Sequence, residues 1–200
     1  MSTITVSQNN NLSINPGSGD QTRQFLTFQL GQEIFGVDIL DVKEIIEICN
    51  ITRVPLTPAY IRGVINLRGN VVSIIDLSAR LDRKPSTISK RSSIVILTVE
   101  HTSADQMETA TYTLGMLVDE VNEILDISQD SILPAPDFGA EIRTEFIQSM
   151  GRVDNKFIIL LAINRILSVT ELSQLQQSTT PLAQLATSNS YKLESASIQN

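Results

Sequence analysis

A mainly β fold built from two small barrels is what this 200-residue sequence predicts, and three observations carry the prediction. Between Gln24 and Leu175, short apolar runs alternate with turn residues, as half-buried strands do. Part of that region occurs twice: Gly36 to Pro55 (GVDILDVKEIIEICNITRVP) and Gly115 to Pro134 (GMLVDEVNEILDISQDSILP) align without a gap. Gly36 matches Gly115, Val42 matches Val121, Glu44 matches Glu123, Ile45 matches Ile124, Ile48 matches Ile127 and Pro55 matches Pro134. A strand precedes each copy, and a hairpin ending at Asp76 or Asn164 with a short helix follows it, so the chain holds two similar subdomains. Full or near closure of each would hide the edges of sheets this short.

The elements follow in order. Leu26, Phe28 and Leu30 alternate into Gly31-Gln32-Glu33, and Ile34 to Ile39 completes a hairpin. From Asp41 the apolar spacing changes: Val42, Ile45 and Ile46 fit one face of a short helix, with Asp38 or Asp41 available to cap it. Pro55 and Pro58 then force a loop. Gly63 to Leu67 and Val71 to Ile75 flank Arg68-Gly69-Asn70, where Gly69 can take the positive φ of a tight turn. Asp76 caps a short turn through Leu81, and the charged stretch Asp82 to Arg91 reads as a connector. Strands are expected at Ser93 to Val99 and Ala110 to Val118, with a polar loop from Glu100 to Thr109 between them. The run Phe157 to Ile163 is followed by Asn164 as a cap and a helix from Arg165 to about Leu175. Residues 1–23 and 176–200, rich in Asn, Ser, Gln and Thr, bury too little to offset ordering entropy and are expected to be flexible tails.

Composition narrows the function. An apolar content of 42% supports a core, while no apolar run approaches the roughly 20 residues of a membrane-spanning helix. The N-terminus lacks a secretion signal, so the expected compartment is the cytoplasm. A net charge of -7 argues against general nucleic-acid binding. Between Ile51 and Arg91, however, eight basic residues face two acidic ones, a local +6 against -13 elsewhere. That segment either steers an acidic partner or is ordinary solvated charge, depending on whether its side chains share a face.

Catalytic signatures are missing: there is no His-Glu-x-x-His, Walker loop or Gly-x-Ser-x-Gly. One cysteine, Cys49, and one histidine, His101, leave no internal disulfide and few soft ligands for zinc. Cys49 reads as a small buried hydrophobe rather than a reactive thiol. The acidic series Asp38, Asp41, Glu44, Glu47 and Asp119, Glu120, Glu123, Asp126, Asp130 lack the spacing of a calcium loop, and helix-start or wet-face roles explain them more simply. Phe25, Phe28 and Phe35 fall on core strand positions. Tyr60-Ile61-Arg62-Gly63 and Pro134-Ala135-Pro136-Asp137-Phe138-Gly139 instead present aromatics on loops, where they serve as binding anchors unless Phe138 folds back to plug the second barrel.

The span from Phe25 to Leu175 resembles a CheW domain. FLTFQLGQEIFGVDILDVKEI, ITRVPLTPAYIRGVINLRGNVVSIIDL, GMLVDEVNEIL and ILPAPDF occur in family order and spacing, Arg-Gly-Val-Ile-Asn-Leu-Arg-Gly being the most diagnostic. The resemblance implies a mainly β domain over residues 24–175, made of two intertwined SH3-like five-stranded β-barrels with short helices, roughly 24–91 and 92–175, and a hydrophobic groove between them. It implies a non-enzymatic chemotaxis adaptor without cofactor or metal. Its partners would be the cytoplasmic hairpin tip of methyl-accepting chemoreceptors, the regulatory domain of the histidine kinase CheA, and other CheW-like domains in arrays. Such an adaptor is cytoplasmic and recruited to membrane-associated arrays without inserting into the bilayer. By motif, Val42 and Glu44 in DVKEI and Gly63 and Arg68 in IRGVINLRG form or support the receptor groove, and Phe138 in PAPDF belongs to the kinase-side contact. Arg62 is not diagnostic, since Lys is equally familiar there. The chain departs from compact members in its longer start, the loop from Glu100 to Thr109 and its Ser/Thr/Gln-rich end. The competing class is a small-molecule-binding β-barrel or enzyme that uses the acidic clusters, which a copurifying ligand would reveal.

Overall fold

The computed structural model describes residues 21–102, 109–135, 144–167 and 171. Its strands are β1 (Thr22–Leu30), β2 (Glu33–Asp38), β3 (Val42–Glu47), β4 (Ile61–Leu67), β5 (Asn70–Asp76), β6 (Ser93–Thr102), β7 (Thr109–Val118), β8 (Glu120–Ser128), β9 (Ile132–Pro134), β10 (Ile147–Val153) and β11 (Lys156–Leu161). Two one-turn helices, α1 (Leu77–Arg80) and α2 (Ile163–Ile166), follow β5 and β11. The strands form two curled sheets, ordered β3-β6-β7-β5-β4 and β8-β1-β2-β11-β10-β9. These are the two SH3-like barrels of a mainly β fold, the second extended by the three-residue β9.

The internal repeat maps onto the two orders strand for strand. If β3 corresponds to β8, β6 to β1, β7 to β2, β5 to β11 and β4 to β10, the sheets have one topology. The matched Gly36 and Gly115 then occupy the same position: each lies on the strand that pairs in parallel, opposite Leu160 and Ile74 respectively. A Cβ at Gly36 would lie 2.9 Å from Leu160 Cδ2, and one at Gly115 2.4 Å from Ile74 Cδ1, so both glycines make room for core side chains. Each repeat copy is divided between sheets. Gly36 belongs to the six-stranded sheet and Val42 to Glu47 to the other, whereas Gly115 and β8 are distributed the opposite way. A division at residue 91 therefore does not follow the sheets, because β6 and β7 lie beyond it yet pair with β3 and β5.

One expectation is overturned. Where Val42, Ile45 and Ile46 predict a helix, the chain makes a 3-10 turn over Ile39–Asp41 and then strand β3. The register against β6 slips between Val42 and Glu44, a β-bulge whose extra residue breaks the alternation of two and imitates helical spacing. The β-branched residues themselves favour the strand. The repeat counterpart carries a slip in the same region, where β8 passes β1 between Leu26 and Phe28. There the buried Thr27 hydroxyl donates to Glu123 O at 2.7 Å and accepts from Glu123 N at 3.3 Å, satisfying the bulge.

Asp38, offered as a cap for that helix, instead accepts from Leu40 N and caps the 3-10 turn. The expected cap at Asp76 holds: its Oδ1 accepts from Ala79 N at the start of α1. Asn164, by contrast, lies inside α2, which starts after Ala162 without a side-chain cap. Most of the helix expected from Arg165 to Leu175 lies outside the described residues, as do most of the loop before Thr109 and Phe138. The β6 strand also runs on through Thr102, further than the expected end at Val99.

Each barrel has its own core: Ile65, Val72, Ile74, Ile94, Ile96 and Leu117 in one, Phe25, Ile127, Ile158 and Leu160 in the other. Alternate residues on the opposite faces are buried too, including Leu26, Phe28, Leu30 and Phe35 on β1 and β2 and Val95, Leu97, Leu114 and Met116 on β6 and β7. Covered on both faces, these strands hold the sheets together. Asp119 N donates to Gln29 O at 3.1 Å, extending the β1–β8 pairing to the bend where the chain leaves β7.

Candidate interaction site

The basic segment does not form one patch. Arg62 donates to Ser86 O at 3.1 Å and stands 3.6 Å from the fully buried Asp76, whose Oδ2 accepts from Ser86 N. Arg80 Nε donates to Ile166 O at 2.6 Å and lies over the rings of Tyr60 and Phe146. Arg83 pairs with Glu33 at 2.6 Å and Arg91 with Glu120 at 3.0 Å. Several of these cations thus tie the connector and α1 to the six-stranded sheet or to α2. The Arg83 hydrogen bond holds the Glu33 carboxyl below its usual range. Tyr60 is half-buried beneath Arg80 rather than freely presented.

The motif residues have distinct roles. β3 and β4 are the two edges of the five-stranded sheet. Arg68, at the two-residue turn between β4 and β5, reaches from that hairpin to β3, where its Nη2 meets Glu44 Oε2 at 2.8 Å. Positive φ at both Arg68 (52°) and Gly69 (90°) gives the hairpin a turn that follows strand twist, and Asn66 Oδ1 accepts from Gly69 N. The pair is asymmetric: the Glu44 side chain is 3% exposed and that of Arg68 65%. Glu44 Oε1 has no partner among the described residues, so the pair relies on one oxygen. Val42 is buried and pairs with Leu97, while Gly63 is buried beside the isolated bridge between Thr52 and Val64. A Cβ on Gly63 would lie 2.1 Å from Thr52 O, at a φ of 140° that side chains rarely adopt. Val42 and Gly63 are thus buried, whereas the Arg68 guanidinium is exposed.

One feature was missed in the sequence. Leu56 is fully exposed at φ 62°, between Pro55 and Pro58, and its signal was an apolar residue where a turn ordinarily takes Gly or Asn. Between the sheets, where the resemblance implies a groove, lies a cleft of about 610 Å³ lined by Arg23, Asp38, Leu40, Asp41, Val99, Glu100 and Ile163 among others. The acidic residues of the second repeat disperse instead: Asp119 accepts from Gly31 N, Asp126 from Gln24 Nε2, and Glu120 pairs with Arg91. Among the described residues no three His, Cys, Asp or Glu side chains converge as metal ligands, and no helix is long and apolar enough to cross a membrane. Cys49 is partly buried against the first core.

Two strand-exchanged SH3-like barrels with an ion pair across one seam and a cleft between the sheets define a β scaffold. The CheW-like domain matches residues 24–171, and the chain belongs to that family. It is 31% identical over 160 residues to the chemotaxis protein CheW of Treponema pallidum, covering 78% of this chain and 88% of that one. With the probable chemotaxis protein CheW of Rhizobium etli the identity is 34% over 159 residues, covering 80% and 94%. The crystal structure of the scaffolding protein TtCheW from Thermoanaerobacter tengcongensis superposes with a TM-score of 0.64 at 32% identity, covering 76% of this chain and 96% of that one.

Proposed function

We propose that the chain is a non-enzymatic chemotaxis adaptor, which binds the cytoplasmic hairpin tip of a methyl-accepting chemoreceptor and the regulatory domain of the kinase CheA. Membership of the CheW-like family carries this reading, and the exposed guanidinium of Arg68 over buried Glu44 supports the receptor-side assignment. Val42 and Gly63 act behind that surface, and Phe138 belongs to the kinase side. The adaptor works in the cytoplasm at membrane-associated arrays, where other CheW-like domains are further partners. Its contribution is positioning: held on one scaffold, receptor and kinase meet at high effective concentration.

The test is reconstitution with receptor, kinase and nucleotide triphosphate. The full chain should raise receptor-dependent kinase phosphorylation and turn over no ATP alone; robust turnover by the purified chain would overturn the reading. Arg68→Ala leaves a buried carboxylate unpaired and is expected to lower stability by about 1–3 kcal/mol. Arg68→Lys keeps the charge but loses the multi-donor fork, separating binding from folding. Both should weaken receptor-tip binding, and Phe138→Ala should weaken kinase binding instead. Unchanged receptor binding by folded Arg68→Lys and Arg68→Ala would remove Arg68 from the site.

A further inference from the structure

The connector between α1 and β6 is more firmly held than its polar sequence suggests. Arg83 N donates to Ser78 O at 3.0 Å, and the Ser78 hydroxyl donates to Lys84 O at 2.8 Å. Ser86 is fixed at both backbone groups, its N donating to Asp76 Oδ2 and its O accepting from Arg62. Arg91 N donates to Ser89 Oγ, and Ser89 N to Ser92 Oγ. With the β1–β2 turn and the bend between β7 and β8, this loop lines a crevice of about 470 Å³. Most of its charges are matched: Arg83 pairs with Glu33, Arg91 with Glu120, and Asp119 accepts from Gly31 N. The Lys84 ammonium, by contrast, has no carboxylate or other acceptor among the described residues. Thr87, exposed in the same lining, makes no hydrogen bond there either. Ser86 also lines the crevice; it is 8% exposed, and its hydroxyl has no partner among the described residues. A buried hydroxyl left so is uncommon, because its desolvation goes uncompensated.

We propose that this crevice binds a small phosphate monoester whose remaining part carries hydroxyl groups, a sugar phosphate in chemical class. Lys84 and Thr87 donate to the phosphoryl oxygens, and the buried Ser86 hydroxyl gains its missing partner. Arg83 and Arg91 add positive charge, since a guanidinium has N–H groups beyond the one each gives to Glu33 or Glu120. The rest of the lining is rich in acceptors: Gln29, Asp119 and Glu120 present side-chain oxygens. These accept from ligand hydroxyls and disfavour a compact polyanion such as pyrophosphate, so the two kinds of group together set the ligand class. The volume suits a small molecule rather than a single ion. Because the loop is already fixed by its own hydrogen bonds, little ordering is lost on binding. The site shares no residue with the Arg68–Glu44 pair or with the cleft beside Leu40.

The experiment is calorimetric titration and thermal unfolding of the full chain at constant ionic strength. The probes are ribose 5-phosphate, glucose 6-phosphate and glycerol 3-phosphate, with inorganic phosphate, pyrophosphate and free ribose for comparison. At least one of the three esters should bind with a dissociation constant of about 1 mM or less and raise the thermal midpoint. Inorganic phosphate and pyrophosphate should bind more weakly, and ribose not at all. Lys84→Gln, Thr87→Val and Ser86→Ala should each weaken the best ester by about three- to tenfold. Ser86→Ala should leave the midpoint of the ligand-free chain unchanged or higher, since the hydroxyl it removes has no partner to lose. Lys84 and Thr87 are exposed, so their variants keep the fold and decide the matter even if Ser86→Ala does not. If no ester binds at about 10 mM, the site is overturned. Binding that both Lys84→Gln and Thr87→Val leave undiminished would place the ligand elsewhere and overturn it too. Pyrophosphate binding as tightly as the best ester would overturn the ligand class.

Discussion

Asp41 and Glu33 are both carboxylates near arginines, yet they affect stability in opposite senses. Glu33, bonded to Arg83, has a lowered carboxyl pKa, so its contribution is present above its unfolded value and is lost as pH falls; half exposed, it contributes little. Asp41 has a raised one, because burial and the neighbouring Asp38 and Glu100 disfavour its charge more than Arg23 favours it. The folded state therefore holds the Asp41 proton more firmly than the unfolded state. Its stabilising contribution is complete below the unfolded carboxyl value, about 3.9, and is lost as pH rises through the raised folded value. At neutral pH the ionised group opposes folding. Asp41→Asn should then raise the thermal midpoint at pH 7 and lose most of that advantage near pH 3. Scanning calorimetry at both pH values checks this, and a lower midpoint for the variant at pH 7 would refute the account.

At the scale of elements, the bridge between Thr52 and β4 depends on Gly63. Thr52 N donates to Val64 O at 2.9 Å and Val64 N to Thr52 O at 2.8 Å, drawing the proline-bounded loop against the strand. No Cβ fits that approach without moving the Thr52 carbonyl. Gly63→Ala should lower stability by about 3 kcal/mol or more, through backbone strain and the lost bridge together. Gly69 is a useful contrast: its φ is also positive, but nothing lies within 4 Å of a Cβ there. Gly69→Asn should therefore change stability by less than about 1 kcal/mol, since Asn tolerates the left-handed region. Urea unfolding of both variants compares them directly, and similar losses would mean that close packing at Gly63 is not the cause.

For the whole molecule, strand exchange governs how the chain folds. We propose residues 24–175 as the unit that folds on its own. Cut at residue 91, the first fragment would keep β1 and β2 without β8 and β11, and β3 without β6. Neither fragment could complete a sheet, and the long pairings would be missing from both. Fragments 24–91 and 92–175 should each lack cooperative unfolding when purified singly, and mixing should recover it in part. Circular dichroism during denaturant titration tests this; a fragment that folds cooperatively by itself would show that the barrels are independent.

The sequence by itself determined much that is local: the two hairpins around Gly31 and Gly69, the Asp76 cap, the aromatic core positions and the repeat that makes two similar barrels. Each rests on interactions between residues near in the chain, or on a side chain's intrinsic preference. The DVKEI segment was misjudged as helix because a bulge, created by pairing with a strand some fifty residues on, displaced its alternation. Leu56, a strained and exposed leucine, broke the turn rule that would have found it. Glu44 with Arg68, the arginine ties to Glu33, Glu120 and Ile166, and the assembly of Leu40, Asp41 and Glu100 around one cleft were decided only by tertiary structure. The repeat announces two sheets, but nothing local distinguishes a strand that stays in its own barrel from one that crosses, because both bury the same alternating face; only the closure of both sheets at once selects the exchange.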